Sequence, residues 1–85
     1  MKPNDIFSRI QESSRSFTKA EHKVADFVMQ RSRDILYMSI TDLAENCGVG
    51  DTTIFRFCKT LRLSGYQDFK MLLAQSISGN ESASA

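Results

Sequence analysis

The sequence holds no tryptophan, one proline, one histidine and two cysteines in 85 residues, and each scarcity closes off a class of protein. One proline and four glycines are too few breakers for a turn-dense β fold, and they leave the field to helices. Cys47 and Cys58 are too few for a disulfide framework and lack the C-x-x-C spacing or histidine company of a metal site. Both fall on apolar helical positions, so buried packing is preferred to redox sensing. His22 lies on a helix flank, where a solvent-facing role is expected. It has no nucleophile pattern near it, and no glycine-rich phosphate loop is present. An enzyme is therefore disfavoured, and neither cofactor nor metal is expected. No run approaches the roughly 20 apolar residues of a membrane span. The stretch from Met1 to Asp5 lacks the apolar segment of a secretory signal, which points to the cytoplasm.

Charge of one sign is also scarce, the formal net value being +1. Its distribution says more. Residues 21–50 carry three basic and five acidic side chains, whereas residues 51–70 carry Arg56, Lys59, Arg62 and Lys70 against Asp51 and Asp68. Such a local surplus lets a few cations meet a polyanion without making the whole surface adhesive.

What is present is helical periodicity. The pattern predicts an all-α fold, a bundle of five to six helices in one domain over residues 1–78. A first helix runs from about Asp5 to Ser13, with Ile6 and Ile10 one turn apart. Thr18-Lys19-Ala20-Glu21 reads as a capping box that opens the second, and Phe17 can staple onto its first turn. Ala20, Val24, Phe27, Val28 and Arg31 mark that helix's inner stripe, and Arg31 and Arg33 its last turn. Asp34 to Met38 reads as a short helical turn that docks Ile35 and Leu36. Ser39, with Asp42 three residues on, opens the next helix, and Gly48 closes it. A further helix runs from Asp51 to about Leu61. After Ser64 and Gly65, a last helix from Tyr66 to about Ser78 buries Tyr66, Phe69, Leu72, Leu73 and Ile77. The small polar run at 79–85 is expected to be a disordered tail or linker.

Residues 40–61 carry the functional signal. Two short helices meet at Gly48 with almost no loop. A close crossing needs a small residue at Ala44, and the sharp turn needs the backbone freedom of Gly48. Leu43, Cys47, Val49, Ile54 and Phe57 supply the apolar lock around them. This spacing is that of a helix-turn-helix, which presents its second helix to the major groove of DNA. An ordinary helical hairpin is the plainer alternative.

Thr52, Thr53, Phe55, Arg56, Lys59 and Thr60 are the positions of the second helix not needed for packing. Thr52 or Thr53 can bond a phosphate beside the free amides of the helix N-terminus. Arg56 has the planar fork that fits guanine O6 and N7, unless it is held in a salt bridge to Asp26 or Asp42. Lys59 and Arg62 lie where phosphates are the expected partners. Phe55 either touches a thymine methyl or packs on the N-terminal helices. The reading that follows is a DNA-binding domain. The alternative is a protein–protein interaction module that keeps the fold without the DNA.

The order of signals resembles the N-terminal domain of RpiR-type bacterial transcriptional regulators. It runs Phe17-Thr18-x-x-Glu21, Val24-Ala25-Asp26, Ser39-Ile40-x-x-Leu43-Ala44 and Gly48-Val49. Thr53-Ile54-x-Arg56-Phe57-Cys58-Lys59-x-Leu61 and Gly65-Tyr66-x-x-Phe69-Lys70 complete it. The resemblance covers roughly residues 5 to 77. It implies a double-stranded DNA operator as partner and a homodimeric full-length regulator of sugar metabolism. It also implies a sugar-isomerase (SIS) domain, absent from this chain, that binds a phosphosugar effector. Two positions depart from the pattern. Gly50 stands where the family commonly has serine, with Asp51 as a partial replacement for the lost capping oxygen. Arg62 stands where it commonly has glycine, so either the backbone bends differently there or Arg62 tolerates a strained angle.

Overall fold

The computed structural model describes residues 5–84, with side chains through Ser78. The first four residues of the expected domain lie outside it. Five α-helices follow one another: α1 (Ile6–Ser13), α2 (Lys19–Ile35), α3 (Ile40–Cys47), α4 (Asp51–Thr60) and α5 (Tyr66–Ser84). A 3₁₀ turn, Ser14–Ser16, links the first two. No strand occurs among the described residues, so the all-α expectation holds.

Each helix starts for a local reason. The Asp5 side chain accepts the Ser8 amide at 2.8 Å and opens α1. Thr18 and Glu21 form the full capping box of α2, through Glu21 N–H to Thr18 Oγ1 at 3.1 Å and Thr18 N–H to Glu21 Oε1 at 3.0 Å. Phe17 staples as expected, but its partner in the first turn is the exposed His22, ring edge against ring face at 5.4 Å. Ser39 and Asp42 repeat the box at α3.

The core gathers around Phe57 of α4, whose ring lies 5.1 Å from Phe17 and 6.0 Å from Phe69 of α5. Val24, Val28, Ile35, Leu43, Ile54 and Leu73 belong to the same cluster, all fully buried. Helix α4 packs on α2, α3 and α5, and α1 closes the bundle against α5. There the Ile6 amide donates to the buried Ser76 hydroxyl at 2.9 Å.

Three features differ from the expectations. The inner stripe of α2 is Glu21, Val24, Ala25 and Val28 rather than the one through Ala20, Phe27 and Arg31. Ala20 and Phe27 are half-buried and Arg31 is exposed. The helix also runs on to Ile35 across a kink at Arg31 (φ −128°, ψ 41°), where Arg31 bonds Asp34 at 3.1 Å. The short turn expected at Asp34–Met38 survives as i→i−3 bonds from Leu36, Tyr37 and Met38. Finally, α5 extends past Ser78 to Ser84, so the backbone of residues 79–84 is helical rather than disordered. Once a helix is nucleated, each added residue gains a bond, and one glycine costs only about 1 kcal/mol against alanine.

Candidate nucleic-acid interface

The turn between α3 and α4 is built as its residue types demand. Gly48 adopts φ 74° and ψ 34°, and the Val49 amide reaches back to the Ala44 carbonyl at 2.9 Å. That bond closes α3 and turns the chain in two residues. Leu43, Ala44, Ile54 and Phe57 are buried, and Cys47 and Val49 are half-buried against the same core. Six of the seven positions of the spacing pattern are thus buried or half-buried, and Gly48 makes the turn between the two helices. Both cysteines are free thiols held protonated by burial, Cys47 pushed upward and Cys58 pushed up to about 12.

Helix α4 then divides into two stripes. Ile54, Phe57, Cys58 and Leu61 point inward and are buried. Thr52, Phe55, Arg56 and Lys59, spaced three and four apart, point outward and are exposed. Thr53 and Thr60 are half-buried on the flanks. Arg56 makes no ion pair or hydrogen bond among the described residues. Asp42, one partner considered for it, instead accepts the Ser39 amide. Phe55 stays outside the core, 47% exposed, with the Lys59 ammonium 5.6 Å from its ring centre. Phe55 is not part of the buried core.

At the start of α4, Gly50 supplies no side-chain cap. The Asp51 carboxylate does not replace it, because it accepts the Thr41 hydroxyl of α3 at 3.1 Å. At the other end, Arg62 takes the left-handed angle itself, with φ 68°. The strain is accepted, and Arg62 is exposed.

Of the four cations counted in residues 51–70, Lys70 leaves the outward set. Its ammonium and the Tyr66 hydroxyl both donate to the Met38 carbonyl, each at 2.9 Å. The Gly65-Tyr66-x-x-Phe69-Lys70 run is thus a clamp that fixes α5 on the loop before α3. Sequence reading found the run but not its role, although the four-residue spacing of Tyr66 and Lys70 was a signal that they share a face. Arg9 escaped it altogether. Its guanidinium donates to the Leu61 carbonyl at 3.1 Å and caps the end of α4 from α1.

With this geometry in place, comparison with known proteins is decisive. The helix-turn-helix domain of the rpiR family matches residues 4–80. The chain belongs to that family. An uncharacterised helix-turn-helix transcriptional regulator of Thermotoga maritima is 44% identical over 75 residues, covering 87% of this chain and 27% of the relative. A bifunctional protein named glk from Paraburkholderia xenovorans is 36% identical over 74 residues, covering 87% of this chain and 12% of the relative. Among solved structures, Vibrio vulnificus NanR complexed with ManNAc-6P superposes with a TM-score of 0.84 at 32% identity, over 88% of this chain and 28% of that one. The RpiR-family chain described here therefore spans between 12% and 28% of the length of these relatives. Its fold and family make it a DNA-binding domain of transcriptional regulators. Among its described residues no helix is long and apolar enough to cross a membrane.

Proposed function

We propose that this domain reads a double-stranded DNA operator through the outward stripe of α4, as the DNA-binding part of a phosphosugar-responsive regulator of sugar metabolism. The observation that carries the reading is Arg56. It is an exposed forked cation in the middle of the stripe, with no intramolecular partner among the described residues to hold it. A fork free to approach a guanine edge reads sequence. Thr52 and Thr53 at the helix start, and Lys59 and Arg62 farther on, position the domain on phosphates.

The likeness to NanR, seen with a phosphorylated sugar, supports an effector of that chemistry. The effector would bind a sugar-isomerase domain in the longer regulator, which acts as a homodimer in the cytoplasm. Two domains in one dimer engage paired half-sites and raise the effective concentration of each.

Fluorescence anisotropy of a labelled duplex, titrated with the 85-residue chain at several salt concentrations, tests the DNA reading. Affinity is expected to fall steeply with salt, because each phosphate contact releases counterions. Binding that ignores salt, or none at low salt, would leave α4 as a surface for protein partners.

A further inference from the structure

We propose that Phe55 is a base-reading residue that selects a thymine through its C5-methyl group. The inference rests on the DNA reading above and adds the chemistry that one position of the site recognises.

Phe55 lies on the outward stripe of α4 between Thr52 and Lys59, directly beside Arg56, and it has no place in the core. Phe55 is 47% exposed, while the other phenylalanines on α4 and α5, Phe57 and Phe69, are fully buried. Phe55 sits in the part of the helix where a groove-facing side chain meets base edges.

The surroundings decide what the ring can meet. Lys59 holds its ammonium over one face, 5.6 Å from the centre, and Arg56 adjoins it on the chain. An aromatic surface bordered by two cations suits a polyanion that displays a small apolar group. The thymine methyl is the apolar group that the major groove offers. The pairing with Lys59 adds a second effect. A cation held against an aromatic ring loses less freedom when it settles on a phosphate, so ring and ammonium engage DNA together.

The test begins with the 85-residue chain at low salt and a pool of randomised duplexes. The pool is expected to yield an enriched sequence with an invariant thymine next to the guanine assigned to Arg56. Deoxyuridine is then placed at each thymine of the winning duplex in turn. Removing one methyl from a buried contact is expected to weaken binding about three- to five-fold at one position, with little change elsewhere. Phe55→Ala is expected to bind the thymine and deoxyuridine duplexes equally, and to keep the wild-type melting temperature because the ring lies outside the core. A deoxyuridine scan that is flat for the wild-type chain overturns the proposal without needing the variant. A methyl effect that persists undiminished in Phe55→Ala assigns the contact elsewhere and also overturns it. A pool that never enriches counts against DNA reading itself.

Discussion

Helices α3 and α4 close with the same backbone and with different residues. In each, a residue of left-handed angle follows the last turn, at φ 74° for Gly48 and φ 68° for Arg62. In each, the next amide reaches back five residues, from Val49 to Ala44 at 2.9 Å and from Leu63 to Cys58 at 3.0 Å. Val49 and Leu63 both then pack on the core. The shared geometry answers a shared need: spare carbonyls find donors, and the chain is aimed at the next apolar anchor. The difference lies in strain. Glycine adopts the angle freely, whereas a side-chain-bearing residue gives up about 1–2 kcal/mol there. The second closure has an outside support that the first lacks among the described residues, since Arg9 of α1 bonds the Leu61 carbonyl. Under the proposed function, Arg62 also returns something for its strain, a cation directed at phosphate.

The comparison can be broken at its acceptors. Ala44 is 2% exposed where α3 meets α4. Ala44→Leu should overpack that junction and cost about 1–3 kcal/mol in a thermal or urea melt. An unchanged melt would mean the two helices do not meet at this residue. Next comes the left-handed residue of the first closure. A Cβ on Gly48 would touch nothing within 4 Å, so Gly48→Ala isolates the conformational cost. About 1 kcal/mol of destabilisation is expected.

The reverse substitution sharpens the contrast. Arg62→Gly should stabilise the domain by about 0.5 kcal/mol, the relief of strain being partly offset by the freer unfolded chain. On DNA the same variant should lower the slope of log affinity against log salt by about one unit. A variant that is no more stable would show that other contacts of Arg62 already balance its angle.

The smallest effects are those of pH at the start of α5, just beyond the second closure. Hydrogen bonds from the Ser64 hydroxyl and amide hold Asp68 below the ordinary carboxylate value. Its contribution is thus present above that value and lost as pH falls through the lowered one. Tyr66 moves the other way, pushed up to about 12 mainly by burial and then by the nearby Cys58 and Asp42. The stability tied to its protonated form is thus fully present below the ordinary value of 10 and is lost as pH rises towards 12. Melts across both ranges should show slopes of opposite sign. Asp68→Asn should remove the acid one, and Tyr66→Phe should lessen the alkaline one, which the buried thiols of Cys47 and Cys58 share.

The parts of this fold that were legible in sequence are those fixed within one turn of chain. Capping boxes at Thr18 and Ser39, the closure at Gly48 and the inner stripe of α4 each follow from residues three to five apart. The outward stripe was legible for the same reason, as the remainder after packing. The rest depends on partners far along the chain. Arg9 meets Leu61 across 52 residues, and the Ile6 amide meets Ser76 across 70. No local pattern marks either pair. The phase of α2 was missed because Glu21, a charged residue, takes a core-side position that only its capping bond makes tolerable. The pattern without Glu21 favours Ala20 and Phe27 instead.

Arg56 tests the account most directly. Binding of the wild-type chain and Arg56→Ala should be compared on the enriched duplex and on a scrambled one, at one salt concentration. The account predicts a loss of about 1–3 kcal/mol on the enriched duplex, relaxed preference at one base pair, and little change on the scrambled duplex. Equal losses on both would make Arg56 a phosphate contact and contradict the claim that the outward stripe of α4 reads sequence through it.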